Sequence, residues 1–164
     1  MKNAVCAILV GLISTSAAAE GSPKFIDFAV KQARDRGLNR CDSAVREVFK
    51  HAGGSDIRVW TDVVEQNKND QIQIAGAFGN DGDMATIDAN IRRVGDKCFV
   101  QVSSTIVANQ SCPSYLSDNS AWKAESNTGN IIQVINSGGV TALLRPVGQN
   151  CVVTFRRSVT TKAG

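Results

Sequence analysis

The chain predicts an α+β domain: two N-terminal amphipathic helices packed on one face of a mostly antiparallel, hairpin-linked sheet of about six or seven strands, with two disulfides. Three observations predict it. Apolar residues recur at helical spacing up to Ala52, the period drops to two from Ile57 onward, and four cysteines remain once an N-terminal export signal is removed.

The first helix opens at Ser22-Pro23, a capping residue followed by proline at a position whose N–H has no helical partner. Phe25, Ile26, Ala29, Val30 and Ala33 share one face, and Gly37-Leu38 supplies a left-handed stop near Arg36. In the second helix Cys41, Ala44, Val45, Val48, Phe49 and Ala52 form the buried stripe, and Gly53-Gly54 ends it. Strands are expected near 57–64, 71–78, 84–94, 97–107, 130–136, 139–145 and 150–159. The clearest hairpin alternates Ala85, Ile87, Ala89 and Ile91 with Thr86, Asp88, Asn90 and Arg92, turns at Gly95-Asp96, and returns through Cys98, Val100 and Val102. Its other face carries Gln101, Ser103 and Thr105. Ala108–Asn127, rich in Ser, Asn and Asp, has no sustained period and reads as a loop pinned by Cys112. No internal repeat is evident along the chain.

Met1–Ala19 reads as a cleaved export signal: Lys2, an apolar run from Ala4 to Ile13, and Ala17-Ala18-Ala19 before Glu20. Residues 20–164 then form a single domain, exported to a periplasm or secreted, with no segment apolar enough to cross a membrane. Cys6 leaves with the signal, so Cys41, Cys98, Cys112 and Cys151 are expected as two disulfides. Pairing Cys98 with Cys112 is disfavoured, because the strand carries the chain about 30 Å away and the next five residues return it at most about 18 Å. Of the two remaining pairings, Cys41–Cys98 with Cys112–Cys151 is preferred, since Cys41 and Cys98 both lie on core-facing stripes.

Charge excludes little. Losing Lys2 takes the formal charge from +3 to +2, too small to imply nucleic acid, and basic Arg156–Lys162 reads as a solvated strand end. His51, the only histidine, sits in a last helical turn with no patterned nucleophile or acid nearby, and a multi-histidine metal site is excluded. The cysteines lack the close pairing of a zinc site, and Asn80-Asp81-Gly82-Asp83 is a turn without the distal glutamate of a calcium loop. No cofactor or metal is expected.

No catalytic set emerges, so the expected function is that of an exported, non-enzymatic binding protein acting on a protein partner, such as an immunity protein or an inhibitor of an envelope-acting enzyme. The candidate interface is Trp60, Tyr115 and Trp122 with Asp88 and Arg92 of the polar hairpin face. The alternatives are a small hydrolase or carbohydrate-active enzyme drawing its acid from Asp81, Asp83 or Asp88, and a structural component of an envelope assembly that associates through a strand edge. Oligomeric state is open.

Overall fold

The computed structural model describes residues 22–80 and 83–164; the expected signal, and Asp81, fall outside them. Among the described residues the chain forms α1 (Pro23–Asp35), α2 (Asp42–Phe49), β1 (Asp56–Asp62), β2 (Gln71–Asn80), β3 (Asp83–Val94), β4 (Lys97–Ala108), α3 (Cys112–Asp118), β5 (Trp122–Thr128), β6 (Ile131–Asn136), β7 (Thr141–Val147) and β8 (Asn150–Lys162). The eight strands make one antiparallel sheet in the order β1-β2-β3-β4-β8-β7-β6-β5.

The helices form where the apolar stripe and the stops place them. Phe25, Ala29, Val30 and Ala33 of α1 are buried. Gly37 takes φ 109°, and the Leu38 N–H then bonds back to the Ala33 carbonyl at 3.0 Å, bringing Leu38 into the core. α2 ends at Phe49, earlier than its stripe suggests, while Ala52 stays buried by turning back to donate to the Phe49 carbonyl. Both helices lie on one face of the sheet, over Ile72, Ile74, Ile87, Ala89, Ile91, Val100 and Val102.

Two expectations are corrected between Ala108 and Asn127. The segment is a helix and a strand, which raises the sheet to eight strands. α3 starts on Ser111, whose side chain accepts the Ser114 N–H, with Pro113 in its first turn, the same kind of signal that starts α1. β5 is an edge strand exposed at nearly every position, so no alternation marks it in the sequence.

The disulfides join Cys41 to Cys98 and Cys112 to Cys151. Their placement exposes an internal repeat that the linear sequence hides. In each half a helix with a cysteine at its start precedes a four-strand meander, and that cysteine is bonded to the second residue of the last strand. Cys98 faces Arg93 and Cys151 faces Pro146 across equivalent hairpins. Superposing these pairs aligns Ala89 with Ala142, Arg92 with Arg145, Val94 with Val147, Gly95 with Gly148 and Val100 with Val153. The β4–β8 pairing is symmetric as well: Cys98↔Thr161 and Ala108↔Cys151 lie equally far from a centre at Ser103↔Arg156. A pseudo-twofold axis therefore passes through the sheet between Ser103 and Arg156. The repeat escapes inspection because turn-length differences between β1–β3 and β5–β7 break any constant spacing.

The second half builds its own smaller core, in which Cys112 and Tyr115 of α3 pack on Val134, Ala142, Leu144, Cys151 and Val153. Strand register puts those β-residues on the same side of the sheet as α1 and α2. Among the described residues the opposite face carries no helix.

One ion pair ties α2 to β8. Arg157 donates through Nη1 to Glu47 Oε1 at 2.7 Å and through Nη2 to the Glu47 carbonyl at 2.9 Å. Burial works to raise the Glu47 carboxyl pKa, but hydrogen bonds and charge from Lys50 and Arg157 outweigh it and hold it below its ordinary value. A depressed carboxylate pKa contributes stability that is present above the unfolded value and lost as pH falls through the folded one. Glu47→Gln should therefore cost about 1 kcal/mol at neutral pH, and the difference from the parent should vanish as denaturation midpoints are followed from pH 6 down to pH 2.5. An equal deficit at both ends would contradict this.

Candidate functional site

The uncovered face is built in rows by the strand register. One row runs Trp60, Ala75, Asp88, Ser103, Arg156, Thr141, Ile135 and Lys123 across all eight strands. The next runs Arg58, Ala77, Thr86, Thr105, Thr154, Leu143, Gln133 and Ser126. Short hydroxyl side chains fill the centre, and Thr105 and Thr154 hydrogen-bond through their hydroxyls at 3.1 Å. Small and β-branched polar residues suit an open pleated face, because they hold the ladder without hiding it.

A cavity of about 690 Å³ sits over the pseudo-twofold axis, lined by Asp88, Asn90, Gln101, Ser103, Arg156 and Ser158, with the β6–β7 turn at Gly139 on one side. The two repeats supply unlike walls: Asp88 and Asn90 come from the first, where the second has Thr141 and Leu143, and Arg156 stands where the first has Ser103. Asp88 already receives the Gln73 amide, at 3.3 and 3.1 Å to its two oxygens. Arg156 makes no ion pair among the described residues. Gln73 is neutral, so Asp88 keeps its negative charge, and a visitor meets that carboxylate and the Arg156 guanidinium on either side of Ser103.

The expected interface residues separate. Trp60, 53% exposed, lies on the open face, and Asp88 and Arg92 share it, four positions apart on β3. Tyr115 does not. It is buried in the second core, which also pushes its phenol pKa up, because α3 turns that side chain inward where a loop would have left it outside. Trp122 faces the same core, its ring 5.5 Å from Phe155. Trp122→Ala is accordingly expected to lower stability by about 2 kcal/mol, read as a shift in urea midpoint, with no change in binding at the open face beyond that.

The carboxylates do not converge. Asp83 and Asp88 are five positions apart on one strand, hence on opposite faces and about 17 Å apart along it, beyond the ~5–9.5 Å of a glycosidase pair. Asp81 lies outside the described residues. His51 is exposed just past α2, and no group of three His, Cys, Asp or Glu side chains among the described residues is placed to hold a metal ion. Nor is any helix of the described residues long and apolar enough to cross a membrane. A smaller cavity of about 430 Å³ near the α2 N-terminus is lined by Arg34 and Asp42, which pair with each other, and by the C-terminal residues. That one is a clasp between α1, α2 and β8.

Comparison with protein-family models, curated proteins and solved structures finds no match to this chain.

Proposed function

We propose that the chain is an exported binding protein that acts by docking a protein partner on its open sheet face, in the manner of an immunity protein or an inhibitor of an envelope-acting enzyme. The observation that carries this is the uncovered face of the sheet. Eight strands at ~4.8 Å spacing span about 34 Å, wide enough for the ~800 Å² per partner of a standard interface. Rigid strands bearing short polar side chains lose little entropy on contact, and Trp60 and Phe99 stand on that face 53% and 44% exposed, as anchors for an interface core do. Export accords with the two disulfides, which persist in oxidising compartments.

The test is affinity capture from envelope and culture-supernatant extracts with the oxidised chain as bait. The expected result is one saturable protein partner, lost with Trp60→Ala and retained with Trp122→Ala at a temperature where both baits are folded. Retention by Trp60→Ala together with loss by a substitution on α1 would overturn the face assignment.

A further inference from the structure

Register places cations side by side on the open face in a way the fold itself does not need. Lys97 stands directly opposite Lys162 in the β4–β8 ladder, and both side chains point to the open face. Like charges directly opposed across strands destabilise a sheet. Neither lysine forms an ion pair among the described residues, and neither does Arg92 or Arg156. Arg92 and Phe99 face each other in the β3–β4 ladder, with Thr160 beyond them on β8. Val94, opposite Lys97, is 52% exposed. The result is a strip of four cations around an exposed aromatic ring, running from the β3–β4 turn to the cavity on the pseudo-twofold axis.

We propose that this strip docks an acidic protein segment, with a carboxylate of that segment entering the cavity at Arg156. The inference rests on the open-face reading and names the chemistry of its partner. Charge complementarity selects an anion, and the length of the strip, from the turn to the centre of the open face, suits an extended protein segment. Arg156 is six positions from Lys162 on β8, about 20 Å inward along the strand, where it lines the open cavity and is itself exposed. An extended acidic segment laid along β8 reaches the cations at the turn and Arg156 together, and a bilayer is the alternative that the vesicle arm of the test decides against. Arginine is suited to that inner position, because its planar fork binds a carboxylate through two parallel hydrogen bonds.

The experiment titrates the isotope-labelled oxidised chain with a deca-glutamate peptide, with deca-lysine as the charge control and phosphatidylglycerol vesicles as the lipid arm. Expected are amide shift changes confined to residues 92–103 and 156–162, a dissociation constant weakened at least fivefold by Arg156→Ala and by Lys97→Ala with Lys162→Ala, and no shifts with deca-lysine. Lys162→Gln should also raise the melting temperature, since it removes the cross-strand repulsion. Shifts elsewhere, or an affinity indifferent to these substitutions, would overturn the proposal; so would vesicle binding that survives Arg156→Ala. A captured partner that needs Trp60 but none of the four cations would overturn this inference and leave the open-face reading standing. Conversely, failure to capture any saturable partner, with the peptide result intact, would remove the reading and not the anion site.

Discussion

Phe49→Ala is expected to destabilise the protein by about 3–5 kcal/mol, the range for deleting a fully buried aromatic ring. Phe49 has no exposed surface and meets Phe25 edge to face, with centroids 5.4 Å apart and planes at 84°, so one substitution loosens both N-terminal helices. The ring also presses on the sheet at Gly76, where an added Cβ would come within 3.1 Å of Phe49 Cε1. Neighbouring bulk cannot close the space, because the strand at that point has already given up its side chain. Against a typical total of 5–15 kcal/mol, this loss should move the guanidinium midpoint steeply without altering the slope. Gly76→Val is the converse test and should destabilise by overpacking the same contact. A Phe49→Ala loss under 1 kcal/mol would contradict the packing described.

The second large effect concerns the disulfides. Each closes a long loop, with 57 residues separating Cys41 from Cys98 and 39 separating Cys112 from Cys151. Chain-entropy estimates give about 4 kcal/mol for either. The paired variants Cys41→Ser with Cys98→Ser, and Cys112→Ser with Cys151→Ser, should each lower the melting temperature by roughly 8–16 °C. The consequences should differ in kind. α2 keeps its packing against α1 and the Glu47–Arg157 pair when its bridge is cut. α3 has seven residues and a small core of its own, so cutting Cys112–Cys151 should release it. Hydrogen exchange should show protection lost across 112–118 in the second variant and largely kept across 42–49 in the first; equal loss in both would mean that α1 contributes little to holding α2.

Most of the architecture was legible because local signals and tertiary packing agree. Ser22-Pro23 and Gly37-Leu38 bound α1 as their backbone preferences dictate, and alternation in 85–102 gave the central hairpin because one face of it is buried. β5 was illegible for the opposite reason: an edge strand exposed along both sides has no hydrophobic period to read. α3 did announce itself, through Ser111 and Pro113, but its short stripe of Tyr115 and Leu116 is too brief to register as periodic. Tyr115 and Trp122 then passed for surface aromatics because the segment around them passed for a loop.

The candidate site was half legible. Asp88 and Arg92 stand out along one strand, whereas the cationic strip does not exist in the sequence at all. Arg92, Lys97, Arg156 and Lys162 come from three strands, and the β4–β8 pairing brings the last two beside the β3–β4 hairpin that carries the first two. Read linearly, Arg156–Lys162 is a mildly basic strand end; its opposition to Lys97 depends on which strand the chain chooses as neighbour, and that choice follows from the duplicated meander. The pseudo-twofold axis is hidden for the same reason.

The most direct test of the account is steric. A tryptophan placed at Ser103, in the centre of the open face, should abolish binding of the captured protein partner, and a tryptophan at Lys31, exposed on α1 across the molecule, should leave its dissociation constant within twofold of the parent. Binding that tolerates Ser103→Trp but fails with Lys31→Trp, both chains being folded, would place the partner on the helices and contradict the assignment.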